Sequence, residues 1–254
     1  MRTLVDQSMI EAGRLMRRWP REHDVISSTL VQPILLLLMY QLVLNKVLTL
    51  SSGTDAIYGF VPMIAVSGAM YGAMGTGLSL HAEAESGLLR RFWVLPVHRS
   101  AGLIGRLIAE CGRTLVVTVL VVVLGVVLGL RFHAGWSGLL GVLLVPVVLI
   151  PGFATMVITV GVGKAGAKVV QLFAAIILLG MFFNSGFVPV DNYPAWLQPV
   201  VRAQPMSCAI EAMRNSLLGG PIAVPFLQTL AWSAGLAAVF GALAVRGYRK
   251  AAQG

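Results

Sequence analysis

The stretch TLVVTVLVVVLGVVLGL, residues 114–130, holds no Asp, Glu, Lys or Arg. Five more windows share that property: 25–45, 56–82, 132–163, 169–190 and 215–245. A helix that crosses a bilayer needs about 20 mostly apolar residues. The 114–130 window is the shortest, and its helix is expected to begin earlier, near Leu107. Windows 132–163 and 215–245 exceed one crossing, so each should include some loop. The six windows predict an all-α polytopic membrane protein with six transmembrane helices. Short polar pieces separate them, as connections in a bundle do.

Composition agrees. Of the 254 residues, 57% are hydrophobic and 11% charged, with a mean hydropathy of +0.84. Soluble domains carry about 25% charged residues. A net charge of +9 and a pI near 10.3 would point to nucleic acid in a soluble chain. Here no basic run is interleaved with aromatics, and the basic residues read as topology signals and contacts to anionic lipid. With the N-terminus placed in the cytoplasm, fifteen of the nineteen Lys and Arg fall in inside segments. Only Lys46, Arg131, Arg202 and Arg214 fall outside. The positive-inside rule therefore predicts that both termini are cytoplasmic. Charged, polar sequence precedes the first apolar window, which reads as an uncleaved first span rather than a signal peptide. Cys111 and Cys208 should lie on opposite sides of the membrane, unpaired, in no metal-binding spacing.

Residues 1–24 predict an interfacial helix. Met1, Val5, Met9, Ala12, Met16 and Trp19 recur at spacings of three and four, and Pro20 stops the run. Gly68 and Gly72, continued by Ala69, Ala73 and Gly77, form a small-residue packing face; Gly125 and Gly129 form a second. Two segments do not read as spans. The first, 82–100, has Glu83 and Glu85 before Gly87, then Leu88, Leu89, Phe92 and Trp93 around Arg90 and Arg91, with Pro96 as a break. That pattern predicts a short amphipathic helix at the inner surface, either docking a cytoplasmic partner or resting on the membrane. The second, 189–218, carries Pro189, Pro194, Pro199 and Pro205, which forbid one continuous helix. Pro205 suits a helix start, and Gly219 and Gly220 suit its end. Met206, Ile210, Met213 and Leu217 form its apolar stripe, and Glu211 and Arg214 can pair on the other face. At roughly 14 residues that helix reaches only about 21 Å. The segment is expected to dip into the outer leaflet as a re-entrant hairpin.

The run Asn184-Ser185-Gly186-Phe187-Val188-Pro189, then Tyr193-Pro194-Ala195-Trp196-Leu197-Gln198-Pro199, Gln204-Pro205-Met206-Ser207 and Glu211-Ala212-Met213-Arg214 resembles the C-terminal signature of ABC-2 type permeases. The Gly87-Leu88-Leu89-Arg90-Arg91 and Leu95-Pro96 pieces resemble the coupling region of the same family. The stretch from Phe92 to Arg99 is most similar to daunorubicin-resistance-type permeases of actinobacteria, including mycobacterial subunits linked to phthiocerol dimycocerosate export. The resemblance implies one transmembrane domain over 1–254 that pairs with an identical or homologous second permease. Each permease would sit on a separate ATP-binding cassette ATPase, which binds ATP and Mg. Glu85, Gly87, Leu88, Leu89, Arg90, Arg91, Phe92 and Pro96 would couple to that ATPase. Residues 1–24 would flank it as the connecting helix. Gly186, Pro189, Pro194, Trp196, Pro205, Glu211 and Arg214 would mark the hairpin. Localisation would be the plasma membrane.

The chain itself should bind no nucleotide. In its one Gly-Lys pair, Gly163-Lys164, Ala165 follows where Ser or Thr is needed, and Ile158 stands at the first glycine position of a P-loop. His23, His81, His98 and His133 are scattered, which argues against a metal site and an intramembrane enzyme. The competing reading is a gradient-driven secondary transporter, which uses ionisable groups or broken helices near the midplane. No Asp, Glu, Lys or Arg is expected deep in a span; Glu110 and Arg113 should pair with each other or with headgroups. The expected cargo is hydrophobic, a lipid or lipophilic drug. Met39, Tyr40, Met70, Tyr71, Met74, Phe182, Phe183 and Asn184 are candidate lining for its path, because Met and aromatic side chains adapt to apolar ligands of varied shape.

Overall fold

A computed structural model describes residues 3–19, 31–39, 42–43, 56–86, 101–161 and 166–253. Nine α-helices occupy the described residues: α1 Leu4–Arg18, α2 Gln32–Met39, α3 Ile57–Glu85, α4 Ala101–Val127, α5 Gly135–Gly161, α6 Gly166–Phe182, α7 Gln198–Ala203, α8 Pro205–Leu218 and α9 Ala223–Gln253. A 3-10 turn, Val190–Asn192, precedes α7.

Four helices are long and apolar enough to cross a bilayer: α3, α4, α5 and the 223–243 part of α9. The windows at 56–82 and 114–130 become α3 and α4, and α4 starts still earlier than Leu107, at Ala101. Window 132–163 is one 27-residue helix that runs through Pro146 and Pro151, with little loop. Window 215–245 splits between the end of α8 and α9. Window 169–190 is cut short. Its helix, α6, has 17 residues and stops at Phe182, because Asn184 and Ser185 turn the backbone away. Of window 25–45, the eight-residue α2 and a few neighbours lie within the described residues.

Helix α3 is the axis of the bundle and packs against α4, α5, α6, α8 and α2. Its first fourteen residues are all buried. A helix can be enclosed this way only if it is apolar all round and small enough for neighbours to approach. Gly59, Gly68, Gly72 and Gly77 provide that approach: Gly68 meets Val117 of α4, and Gly77 meets Val157 of α5. The second expected glycine face divides. Gly125 packs against Val61, whereas Gly129 has a φ of +110° and belongs to the turn after α4, with nothing packed on it. The contacts Val61–Gly125, Gly68–Val117 and Gly72–Arg113 step in opposite senses, so α3 and α4 run antiparallel along their length.

The outside of the bundle is as apolar as its inside. On α4, Val117, Val121 and Val122 are buried while Leu115, Val116, Val119, Leu120, Val123 and Val126 are exposed. On α6, Leu172, Ile176, Leu178 and Leu179 are exposed. Water would penalise so much uncovered aliphatic surface, and lipid does not. The chain is a polytopic membrane protein. The outer helix α9 leans on α5. Its Ser233 hydroxyl accepts from the Gly152 N–H at 3.1 Å, and Phe240 O accepts from the Thr159 hydroxyl at 3.0 Å.

Helix α1 begins at a capping box in which Thr3 and Asp6 serve each other's backbone. It packs along the first turns of α4, with Ser8 and Glu11 against Gly105 and Met16 against Gly112. Its apolar stripe is thereby divided: Ala12 is buried, but Val5 and Met9 remain uncovered.

Candidate functional site

Two regions at opposite ends of α3 concentrate polar chemistry. At the end near Ser86, where the chain leaves for the 87–100 segment and returns at Ala101, ionic contacts cross from α3 to α4. Arg106 donates to Glu83, and both are under 10% exposed. Further along, Arg113 donates to one oxygen of Glu110, and the Thr76 hydroxyl of α3 donates to the other. Arg113 lies directly over Gly72, where a side chain would occupy its guanidinium. Arg113 is twelve residues into α4, about 18 Å along the helix axis.

Of the two partners the spacing offered, Glu110 and Arg113 take each other, and at 2–3% exposure they are enclosed by protein. A carboxylate and a guanidinium tolerate such enclosure because each neutralises the other and finds hydrogen bonds. The socket depends on Gly72, which the sequence pattern had marked as a helix-packing glycine.

Glu85 lies at the last turn of α3, exposed, with its carboxylate 3.4 Å from His81 Nε2. The other nitrogen of His81, Nδ1, is 2.9 Å from Gly161 O at the end of α5. Gly87, Leu88, Leu89, Arg90, Arg91, Phe92 and Pro96 lie outside the described residues.

At the far end of α3 a turn and two short helices close the bundle. Asn184 directs the turn. It is fully buried; its amide nitrogen donates to Gly180 O at 3.0 Å and also to Met181 O, and its oxygen accepts from the Gly186 and Phe187 N–H groups at 2.7 and 3.1 Å. Gly186 then lies against the backbone of Gly59 in α3. The Ser185 N–H and hydroxyl bond Ser207 of α8. Tyr193 donates its hydroxyl to Phe182 O and Asn184 O at 3.1 and 3.2 Å, and burial pushes its phenol above the ordinary value. Pro189 precedes the 3-10 turn, Pro194 follows it, and Pro205 opens α8 at its first position. Gly219, with φ +79°, ends α8 in the left-handed conformation that its sequence promised. Trp196 is 76% exposed.

Arg214 donates to Ser185 O at 2.6 Å and makes no direct contact with Glu211, whose charge is still near enough to act on it. A buried loop carbonyl that α8 can reach needs a donor, and Arg214 supplies it beside Gly59. The eight candidate path residues do not share one surface. Met70, Met74 and Asn184 are buried inside this chain, and Tyr71 is half-buried. Met39, Phe182 and Phe183 are exposed, and Tyr40 lies outside the described residues. Among the described residues no group of His, Cys, Asp and Glu could hold a metal ion.

Comparison with known proteins gives this arrangement a setting. The pattern that defines the ABC-2 type transporter family matches residues 7–218. A Mycobacterium tuberculosis protein described as a probable doxorubicin resistance ABC transporter permease, DrrC, is 39% identical over 250 residues, covering 98% of this chain and 91% of that one. A daunorubicin resistance ABC transporter permease of Streptomyces coeruleorubidus, DrrB1, is 29% identical over 248 residues, covering 97% and 87%. A second M. tuberculosis permease, named for doxorubicin resistance as DrrB, is 26% identical over 168 residues, 65% of this chain and 58% of that one.

Proposed function

The chain belongs to the ABC-2 type transporter family, and from that premise we propose how its geometry serves an exporter. As a permease it supplies the membrane path and is not itself catalytic; the energy comes from ATP hydrolysis. In our reading the ATPase is a separate subunit that binds ATP and Mg, and a second permease, identical or homologous, completes the path. Residues 1–254 form one transmembrane domain. Six spans cross the plasma membrane with both termini in the cytoplasm: α2 within the first, then α3, α4, α5, α6 and α9. The bias of basic residues supports that orientation.

The observation that carries the proposal is the family match through 7–218 in a chain whose one Gly-Lys pair lacks the P-loop context. Binding of ATP closes the partner subunits, and the stroke enters at the 82–100 coupling region. Closure must favour one bundle state over the other to do work. Helix α1, fixed along the base of α4, lies at the cytoplasmic surface beside that entry. The hairpin from 189 to 218, joined to the far end of α3 through Gly59, Gly186 and Arg214, closes the path at the outer leaflet.

The cargo is lipophilic, a drug such as the relatives' names indicate or an alkyl-rich lipid. Such a molecule gains about 0.8 kcal/mol for each CH₂ it buries in an apolar path. Met39, Phe182 and Phe183, exposed on this chain, are the candidates to meet it.

One observation favours a gradient-driven transporter: the enclosed ionisable groups of α3 and α4. Yet Glu83 and Glu110 are each held by an arginine, the arrangement of a structural ion pair. The docking role is tested by Arg90→Glu with Arg91→Glu in the purified complex. Stimulation of the partner's ATPase should fall while membrane insertion is unchanged; normal stimulation would remove the segment from the interface.

A further inference from the structure

Every fully enclosed ionised side chain among the described residues lies on one interface. Glu83, Arg106, Glu110 and Arg113 all sit between α3 and α4, at the base of the 87–100 segment. The close contact between α5 and α9 uses glycine and serine, and the one cation at the α3–α8 contact, Arg214, serves a backbone carbonyl rather than a carboxylate. Apolar side chains of similar volume would hold two helices together at least as well as buried ion pairs. Buried carboxylate–guanidinium pairs, confined among the described residues to this interface, call for a reason other than adhesion.

We propose that the Glu83–Arg106 and Thr76–Glu110–Arg113 contacts are positioning elements that carry displacement of the 87–100 segment into the α3–α4 pair. The inference rests on the reading of that segment as the coupling region. Glu83 and Arg106 flank its two ends, three residues before Ser86 and five after Ala101. The pair therefore ties the outgoing and returning strands of chain into one stem. The second rung lies seven residues from Glu83 on α3 and four from Arg106 on α4: the Thr76 hydroxyl donates across to Glu110, which Arg113 holds from its own helix. Helix α1 joins the same stem, because Ser8 and Glu11 press on Gly105, next to Arg106.

The rungs also have alternative partners within helical spacing. Glu110 lies three residues before Arg113 and four after Arg106, so both guanidinium groups are neighbours of one carboxylate on one helix face. Arg106 Nε and Thr114 Oγ1 are buried with no hydrogen-bond partner in this arrangement. Buried donors left unspent mark an arrangement that a small shift of α4 on α3 can improve, and paired helices with two such arrangements behave as a switch rather than a spring. Motion of α3 reaches the hairpin through the Gly59–Gly186 contact and the Arg214 bond to Ser185 O.

The test reads the hairpin while perturbing the stem. Trp196→Cys, in a chain with Cys111→Ser and Cys208→Ala, is assembled with the ATPase and the second permease. It is labelled by a membrane-impermeant maleimide with and without ATP and vanadate. Nucleotide trapping should change the labelling rate of this parent complex. Glu83→Gln or Arg106→Gln should abolish that change while copurification and ATP hydrolysis persist, and the exchange E83R/R106E should restore it. A change that survives in both single variants overturns the ladder and leaves coupling intact. So does failure of the exchange to restore it in an assembled complex. A parent complex that shows no change overturns the coupling reading itself. If a single variant no longer copurifies, Thr76→Val carries the test at the neutral rung: a reduced change supports the proposal, and an unaltered one overturns it.

Discussion

Phe183 and Asn184 are neighbours in the chain with different duties. Phe183 is 47% exposed, while Asn184 is fully buried with its amide spent on four backbone groups. Phe183→Asp should therefore impair export and leave assembly intact, read as efflux from cells that produce a normal amount of complex. Asn184→Ala should act through the fold. It leaves the buried Gly186 N–H without the Asn184 oxygen that accepts from it, which costs about 1–3 kcal/mol for a group left buried and unsatisfied. Its signature is a lower melting temperature of the purified chain. Unchanged efflux in the first, or an unchanged melting temperature in the second, would contradict these roles. The sequence offers both residues as equal candidates for the path, because a polar residue after a hydrophobic run does not announce which way it faces. Arg113 shows the same limit. Its three-residue spacing from Glu110 makes the pair legible, but the socket at Gly72 depends on the α3–α4 register, which residue spacing does not contain.

Elements were most legible where the signal is local. Pro205 and Gly219 bound α8 as their backbone preferences require, and Thr3 with Asp6 starts α1. Hydropathy was less exact at α6, since Val188 and Val190 extend an apolar window that the turn at Asn184 has already ended. Helix α1 illustrates a subtler gap. Periodicity predicts one apolar stripe, but α4 covers only the Ala12 side of it. The uncovered side, with Val5 and Met9, needs another apolar neighbour, and the bilayer interface is the one that suits a helix carrying Arg14 and Arg17. A spin label at Met9→Cys should accordingly collide more with membrane-dissolved oxygen than with an aqueous nickel chelate. The reverse preference would place α1 in the cytoplasm, away from lipid.

For the whole molecule, the distribution of polar chemistry sets the direction of the argument. An apolar exterior on α4, α6 and α9 leaves the bundle nowhere stable but a membrane. Inside it, the two buried carboxylates among the described residues, Glu83 and Glu110, are each matched by a guanidinium. On the function proposed above, work arrives from the ATPase partner, enters through the stem at one end of α3 and leaves through the hairpin at the other. Purified alone in vesicles under an imposed proton or sodium gradient, the chain should accumulate no lipophilic probe. With the proposed ATPase and second permease, ATP should drive uptake of such a probe into inside-out vesicles. Gradient-driven accumulation by the isolated chain would contradict the account.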